Sequence, residues 1–406
     1  MREGWREVPL GNVFALTSKR AREVREPPVL SITKYDGVVL AADYFDKRIA
    51  SDAIANYKVL EPEDWAYSTI HIDEGSIARN NLGFRGAVSP MYTTLRFTAA
   101  EHDPRYFELL LRTGRMLARY KDAQQGSINR RRSLPWKVFC GIGVTVPALR
   151  EQRRIIDLIA AIDDTISSSE VTARNARRSA TSFLAHPTWE IADTVPLESV
   201  FEHVIGGTWG DPPGVSEVPV LALGPKSYAG RVEVDADTAT QRSLSGKRAA
   251  ERILRAGDIV LERSGGSPTQ PVGRVIRMRT EQASNVVPSD FQRLLRPDPS
   301  KAHPGFVFWS MWANYESGAV VPFQKATTSI RNLNIPQYLA QVRIALPASA
   351  EQVRFAALAE SFAAVISGYE QQGVRLRELR SNLLSALLSG EHAIPESYDE
   401  LMGVAS

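Results

Sequence analysis

The sequence predicts an α+β protein in which two similar mixed α/β domains are separated by a pair of long antiparallel coiled-coil helices. Residues 5–14 and residues 189–201 each begin with Trp and continue to a Val-Pro-Leu triplet. Residues 146–152 and 346–352 each contain a proline, end in Glu-Gln and open a stretch with helical periodicity. A duplicated segment of this size indicates two similar domains in one chain and therefore a pseudo-symmetric molecule.

The two stretches that follow the Glu-Gln pairs have the periodicity of coiled-coil helices. Mostly apolar or small residues recur in steps of three and four at 155, 159, 162, 166, 169, 173, 176, 180 and 183, and at 355, 358, 362, 365, 369, 372, 376, 379, 383 and 386. A seam sustained over four heptads or more is typical of coiled coils. At about 1.5 Å per residue, each helix is about 50 Å long.

Side-chain volume favours antiparallel pairing of the two seams. That arrangement sets small residues against bulky ones, and it sets isoleucines against leucines: Ala173, Ala176 and Ala180 against Phe355, Leu358 and Phe362, and the stretch 155–166 against Leu376, Leu379 and Leu383. Large-against-small contacts fill a seam at native packing density. A parallel pairing would place bulky residues together at one end and small residues near leucines at the other.

These patterns divide the chain into a first domain 1–150, a central helical region 151–186, a second domain 187–350, a distal helix 351–390 and a C-terminal tail 391–406. In the first domain, β-branched runs at 29–33 and 38–40 surround the turn signal Asp36-Gly37, and residues 105–120 have helical periodicity. In the second domain, strands are predicted at 218–223 and 257–263, a glycine turn at 264–268 and a helix at 306–315.

Composition indicates a globular protein with one basic region. The chain has 406 residues, a formal net charge of +3 and a single cysteine, Cys140, which excludes an internal disulfide. Nine basic and two acidic residues lie within 105–137, which suits binding to a polyanion. Neither a signal sequence nor an apolar run of the roughly 18 residues that a membrane span needs is present, so we expect a cytoplasmic protein that does not contact membranes.

Catalytic and cofactor signatures are missing from the sequence. There is no phosphate-binding loop of the Gly-x-x-x-x-Gly-Lys-Ser/Thr type and no metal-spaced pair of His or Cys. The segment 141–143 lacks the third glycine of a dinucleotide-binding turn. The segment 211–214, Asp-Pro-Pro-Gly, lacks the aromatic residue with which amino-methyltransferases stack a flipped base. We therefore expect no catalytic residue, no metal and no cofactor on this chain.

Amide, hydroxyl and guanidinium groups at matching places of the two domains indicate DNA binding, because amides pair with adenine edges and arginines with guanine or phosphate. The first pair of segments is 124–132 and 324–333, the second is 79–85 with 263–274, and the third is 89–92 with 289–292. The candidate DNA-binding residues are Arg79, Asn80, Asn81, Arg85, Tyr92, Lys121, Gln124, Gln125, Ser127, Asn129, Arg130, Arg131 and Arg132 in the first domain, and Arg263, Ser264, Gly265, Ser267, Arg274, Gln292, Lys325, Thr327, Thr328, Arg331 and Asn332 in the second.

In the order and duplication of these motifs, the chain resembles the specificity (S) subunit of type I restriction-modification systems over nearly its whole length. The resemblance rests on the Trp to Val-Pro-Leu openings, the closings that end in Glu-Gln, the helices that follow them, and the block from Gly257-Asp258-Ile259-Val260 to Gly273-Arg274. The segments 124–126 and 325–328 depart from the glycine-containing loop often seen before Ser-Ile in that family.

The resemblance implies a DNA-recognition subunit without catalytic activity, in which each domain recognises one half of a bipartite, asymmetric target. The helices would space the domains and dock two methyltransferase (M) subunits, with restriction-translocase (R) subunits in the full complex. S-adenosylmethionine, ATP and Mg would then bind the partner subunits.

Three alternatives stay open from the sequence. The chain could be the recognition subunit of a type IIB or other methyltransferase-based phage-defence system, which uses the same architecture. A split nuclease or fused methyltransferase would need an acidic metal cluster or a cofactor loop. A duplicated protein-binding scaffold would not need the basic region.

Overall fold

The structure is a computed structural model, and it describes residues 4–23, 27–44, 54–126, 132–185, 193–228, 230–267, 270–280, 284–326, 330–395 and 397–401. The chain forms two compact units. Unit 1 comprises Met1–Ser167 and Gly373–Ser406, and unit 2 comprises Ser168–Gln372. Both are mixed α/β, as the sequence predicts.

Unit 1 is organised around a four-stranded antiparallel sheet with the order β2-β9-β6-β7. Its strands are β1 (Arg6–Pro9), β2 (Phe14–Leu16), β3 (Leu30–Ile32), β4 (Val38–Leu40), β5 (Lys58–Leu60), β6 (Trp65–Ser68), β7 (Ile77–Arg79), β8 (Gly86–Val88), β9 (Tyr92–Phe97) and β10 (Gly143–Val146). Its shorter helices are α1 (Leu10–Val13), α2 (Ala41–Tyr44), α3 (Pro104–Leu111), α4 (Gly114–Ala123), α5 (Trp136–Cys140) and α11 (Tyr398–Leu401).

Unit 2 repeats this sheet, because its central sheet has the order β12-β19-β15-β17 and is also antiparallel. Its strands are β11 (Asp193–Pro196), β12 (Phe201–Gly206), β13 (Val218–Ala222), β14 (Thr240–Leu244), β15 (Ile259–Glu262), β16 (Ser264–Gly266), β17 (Val275–Arg277), β18 (Val286–Val287), β19 (Gln292–Pro297), β20 (Gln324–Ala326), β21 (Arg331–Leu333) and β22 (Arg343–Leu346). Its shorter helices are α7 (Gly246–Arg252), α8 (Pro304–Glu316) and α9 (Ile335–Gln341).

Two of the local predictions are corrected by the structure. The predicted helix 105–120 is two helices, α3 and α4, because the hydroxyl of Thr113 accepts a hydrogen bond from the N–H of Met116 and caps a new helix. The predicted turn 264–268 includes a strand, β16, which pairs with β21. By contrast, the strands predicted around Asp36-Gly37 are confirmed as the hairpin β3–β4, in which Gly37 has a φ of +74°.

The long helices are α6 (Leu149–Ala185) and α10 (Ser349–Ser389), and each contributes residues to both units. Within unit 1, Arg380 of α10 forms an ion pair with Asp163 of α6 at 2.5 Å. Within unit 2, Arg177 pairs with Glu370 at 3.0 Å, and the rings of Phe183 and Phe362 are 6.1 Å apart. In unit 2 the residue number on α10 falls as that on α6 rises, so the helices pair antiparallel there, as predicted.

The seam predicted for α6 is nearly correct, and the seam predicted for α10 is displaced by one residue at about half of its positions. On α6 the residues from Ile155 to Ala180 face inward, whereas Phe183 is 50% exposed and Leu184 is buried in its place. On α10, Leu358 and Leu379 are 40% and 52% exposed. The neighbouring positions 359, 366, 370, 373, 380 and 387 face inward instead.

The detailed pairing predicted for the alanines is also wrong, because the contacts of Arg177 with Glu370 and of Phe183 with Phe362 place Ala180 opposite residues between 362 and 370. Phe355 packs elsewhere. Its ring lies 5.2 Å from that of Phe306, in the globular core of unit 2. That core combines aromatic residues of α8, including Trp309, with Ala180 and Ala359 of the long helices. The core of unit 1 is built in the same way from sheet aromatics, α3 and the long helices.

The Glu-Gln closings explain how each domain attaches to its long helix. The side-chain carbonyl of Gln152 accepts a hydrogen bond from the N–H of Asp103 at 2.9 Å, and that of Gln352 accepts one from the N–H of His303 at 2.8 Å. Each amide also donates to the carbonyl of the proline five residues earlier. Both glutamines are buried, so the motif is a structural tie. None of the described helices has the length and hydropathy of a membrane span.

Candidate nucleic-acid interface

A small sheet in unit 2 brings together residues that the sequence placed in two separate segments. Strand β21 lies between β16 and β20, so Asn332 is paired with Ser264 on one side and with Lys325 on the other. Arg331 lies opposite Gly266 in the same ladder. Lys325 is exposed and Arg331 is partly exposed. Ser264, Asn332 and Lys325 share one side of this sheet, termed the β16–β21–β20 face, which presents hydroxyl, amide and cationic groups. Arg331, the residue before Asn332 on β21, projects to the other side.

Arg263 connects the β16–β21–β20 face to the central sheet of unit 2. Its side chain is exposed, its N–H donates to the carbonyl of Phe291, and its carbonyl accepts from the N–H of Leu333. The adjoining Gly265 is exposed with a φ of +128°, and Ser267 is partly buried.

Two other candidates in unit 2 face the protein interior. Arg274 donates to the carboxylate of Glu262 at 2.9 and 2.5 Å and lies 5.0 Å above the ring of Tyr228. Burial raises the pKa of the Tyr228 hydroxyl. Gln292 is 1% exposed, accepts from the N–H of Ser289 and donates to the carbonyl of Gly224. In this structure both side chains stabilise the fold and do not face solvent.

A loop that was not among the sequence candidates, residues 206–210, lies beside the segment 288–291, to which Arg263 is also hydrogen bonded. The N–H of Thr208 donates to the carbonyl of Pro288, and the N–H of Trp209 donates to the carboxylate of Asp290. A Cβ on Gly207 would lie 2.1 Å from the carbonyl oxygen of Ser289, so only glycine permits this approach. The run Gly206-Gly207-Thr208-Trp209-Gly210 was the sequence signal for it.

Arginines surround this loop. The guanidinium of Arg242 lies 4.9 Å above the ring of Trp209, and Arg248 donates to the hydroxyl of Thr208 at 2.5 Å. Arg293 is partly buried on β19, opposite Gly206. None of these arginines was among the sequence candidates. They belong to two strands and one helix, β14, β19 and α7, which lie far apart in the sequence. The edge is therefore more cationic than predicted.

In unit 1 the loop after α4 is only partly described. Gln124 is buried and donates to Asp73 at 3.0 Å, whereas Gln125 is exposed and its backbone pairs with that of Ser133. Arg132 donates to the carbonyl of Gln124, and its buried Nε has no partner among the described residues. Lys121 is exposed on α4. The remaining candidates of the two loops lie outside the described residues: Ser127, Asn129, Arg130, Arg131, Thr327 and Thr328.

The cations of the segment 79–85 are neutralised by carboxylates. Arg79 donates to Glu63 at 2.7 Å and to Glu108 at 2.9 Å, and the amide of Asn81 donates to Glu108 at 2.8 Å. Arg85 lies 3.1 Å from Glu61.

Two further candidates of unit 1 have structural partners. Asn80 is fully buried, and its amide donates to the carbonyls of Leu60, Glu61 and Phe84. The hydroxyl of Tyr92 is 3.3 Å from that of Ser31, and the side chain of Tyr92 is partly exposed.

Strand register tests which candidate segments are equivalent. Ser68 pairs with Tyr92 as Glu262 pairs with Gln292, so the segments 89–92 and 289–292 correspond, as predicted. The N–H of Leu134 donates to the carbonyl of Thr69 as that of Leu333 donates to the carbonyl of Arg263. The loops 124–132 and 324–333 therefore also correspond.

The second predicted correspondence is wrong. Arg79 pairs with Trp65 on β6, and Arg277 pairs with Ile259 on β15, so Arg277 is the counterpart of Arg79. The counterpart of Arg263 is Thr69. The error arose because the two segments were matched by charge and not by their place in the sheet.

The sequence matches no family model, and no curated protein sequence matches it. Solved structures are similar in fold. One is a chain of a type I R-M system, from a study of its complex assembly and conformational transition, with 16% identity and a TM-score of 0.57 over 96% of this chain and 98% of that one. Another is the type I restriction-modification system S subunit from M. genitalium, with 11% identity and a TM-score of 0.52 over 94% of this chain and 96% of that one. The chain therefore has the fold of a type I restriction-modification specificity subunit.

Proposed function

We propose that this chain is the DNA sequence-recognition subunit of a type I restriction-modification complex and that each unit recognises one half of a bipartite, asymmetric target. The observation that carries the proposal is the repeated sheet, β2-β9-β6-β7 and β12-β19-β15-β17, in a chain with the fold of specificity subunits. Two units of one topology with different residues at matching positions suit two half-sites of different sequence.

The charge distribution of unit 2 supports contact with DNA. Lys325, Arg331 and Asn332 belong to the small sheet of β16, β21 and β20, Arg263 adjoins it, and all four side chains are exposed or partly exposed. Cations hold phosphates without regard to sequence, and amides and arginines distinguish base edges in the major groove. Both kinds of group are needed for sequence-specific binding.

The long helices would carry two methyltransferase subunits and set the spacing of the half-sites, with R subunits added for restriction. S-adenosylmethionine, ATP and Mg would be bound by those partners. The structural feature that supports docking is a row of exposed apolar residues on α10 in unit 2, termed the outer stripe: Leu358 at 40%, Val365 at 49% and Tyr369 at 37% exposed. Exposed apolar rows of this kind are typical of partner-binding helices.

The first prediction concerns activity. We expect the purified chain to methylate no DNA, and we expect the chain with its methyltransferase subunit to methylate a target of two half-motifs separated by a fixed gap. A methylation assay with the purified chain, and methylome sequencing of a host that expresses both proteins, measure these two expectations. Methylation by the isolated chain, or a single uninterrupted motif, would contradict the proposal.

The second prediction concerns docking. Leu358→Glu with Val365→Glu places two charges on the outer stripe, and we expect methyltransferase binding to fall by at least about 30-fold, as for loss of a central apolar contact of about 2–4 kcal/mol. Val353→Glu is the matched control, because Val353 is 48% exposed on the other side of the same helix. Titration calorimetry compares the three chains. Equal loss in the control would mean that the outer stripe is not the docking site.

A further inference from the structure

Two arginines lie at the loop edge of the central sheet of unit 2: Arg293 on β19 and Arg263 directly after β15. Arg293 on β19 is opposite Leu261 on β15, and the ladder continues to Arg263, whose N–H donates to the carbonyl of Phe291. Residues two apart on a strand share a face, so Arg263 and Arg293 are diagonal neighbours. Diagonal neighbours are within reach of each other when their side chains are long.

Neither guanidinium has an acidic partner in the part of unit 2 that the structure describes. The Nε of Arg293 is buried and makes no hydrogen bond there. Gly206 lies opposite Arg293, and a Cβ at that position would be in van der Waals contact with Nη1 at 3.4 Å, so the guanidinium packs over the glycine. Arg274 and Arg296 differ in this respect, because each has a carboxylate partner. Those partners, Glu262 and Asp258, are both 1% exposed.

Electrostatics favours an anionic ligand beside these two arginines. Burial and, after it, the positive charge of Arg263 lower the pKa of the Arg293 guanidinium. A partly buried cation beside a second cation is unfavourable unless an anion is added. The N–H groups of a guanidinium form a planar fork that matches phosphate oxygens.

We infer that Arg263 and Arg293 form a clamp for one backbone phosphate of the DNA half-site recognised by unit 2. The inference rests on the proposed function and extends it by naming a contact. The clamp would fix the position of the duplex relative to the β16–β21–β20 face, where base edges are recognised. Its ligand is a phosphodiester, and its contribution does not depend on base sequence.

At the two matching positions, unit 1 has no arginine. The counterpart of Arg263 is Thr69, and the counterpart of Arg293 is Thr93, because Tyr67 pairs with Thr93 as Leu261 pairs with Arg293. Thr69 donates its hydroxyl hydrogen to the carbonyl of Met91. The two units therefore hold the backbone differently at matching places.

The test uses the complex with its methyltransferase subunits and the double variant Arg263→Gln, Arg293→Gln. We expect binding to weaken by at least about tenfold for all targets alike, as expected for lost charged hydrogen bonds. The slope of log affinity against log salt should fall by about one, since one phosphate contact is lost. Arg255→Gln is the matched control, because Arg255 is exposed at the opposite end of β15.

A neutral methylphosphonate, placed at one phosphate after another along the second half-site, supplies the direct readout. One position should weaken binding of the natural complex and leave that of the double variant unchanged. An unchanged salt slope in a folded double variant, or a loss limited to targets with one particular base pair, would overturn the clamp while the proposed function stands. Failure of the natural complex to bind any bipartite target would overturn both.

Discussion

Glu262→Ala should destabilise unit 2 by about 3–5 kcal/mol, the usual cost of removing one partner of a buried ion pair. The carboxylate is 1% exposed and accepts two hydrogen bonds from Arg274, whose side chain is 16% exposed. Without the carboxylate, a mostly buried guanidinium would have lost its counter-charge. Denaturant unfolding followed by tryptophan fluorescence measures the change, since Trp309 and Trp312 lie in the core of unit 2.

A matched control separates burial from ion pairing as the cause. Glu233 pairs with Arg279 at 3.1 Å, and these side chains are 44% and 59% exposed. Glu233 also lies 3.6 Å from Arg277, which keeps its ion pair with Glu360 at 2.6 Å when Glu233 is replaced. Solvent screens the exposed pair with Arg279, so Glu233→Ala should cost less than about 1 kcal/mol. The double variant Glu262→Leu, Arg274→Leu should recover most of the loss, because it leaves no unpaired charge. Similar losses in Glu262→Ala and Glu233→Ala would show that the buried pair is not the cause.

The contrast between the long helices shows how far a sequence pattern predicts structure. The inward face of α6 was predictable from Ile155 to Ala180 because its buried positions hold apolar or small residues. On α10 the inward positions include Glu370 and Arg380, which are paired with Arg177 and Asp163. A search for apolar periodicity rejects such positions and selects the exposed neighbours. Charged residues that pair across a helix contact can be assigned to the seam only when the sequence and register of the partner helix are known.

The sequence likewise predicted only part of the candidate interface. Its segments at 263–267 and 324–332 were predictable from composition, and the register of β16, β21 and β20 shows that they form one face. Trp209 was missed because it stands in a glycine-rich run that gives no polar signal by itself, and Arg293 was missed because it directly follows the candidate segment 289–292. Asn80 was selected by residue type alone, although it is buried and hydrogen bonded to backbone carbonyls. Burial depends on tertiary packing, which local composition does not specify.

Exchange of residues 197–342 for the matching segment of another chain of this fold should replace one half of the methylated motif completely and leave the other half unchanged. The ends of this segment are adjacent: β11 and β22 pair from Asp193 with Leu346 to Pro196 with Arg343, and the N–H of Leu197 donates to the carbonyl of Val342. A segment that enters and leaves through one two-stranded ladder can be replaced without altering the path of the chain around it.

The exchanged segment must keep the contacts that attach it to α10. The ring of Phe306 contacts that of Phe355, and the indole N–H of Trp309 donates to Glu360 at 2.9 Å. The donor segment should therefore carry Phe and Trp at these two positions, so that a loss of methylation cannot come from a detached domain.

A reciprocal exchange of residues 10–142 provides the control. Its ends are adjacent too, because Pro9 pairs with Gly143 and the N–H of Leu10 donates to the carbonyl of Ile142. Sites without shared contacts act independently, so the two exchanges should change opposite halves of the motif, and a chain with both should have an entirely new motif. Methylome sequencing of hosts that carry each chimera measures the result. Changes in both halves after either single exchange would mean that the two units share one recognition surface, and the proposed division between them would be wrong.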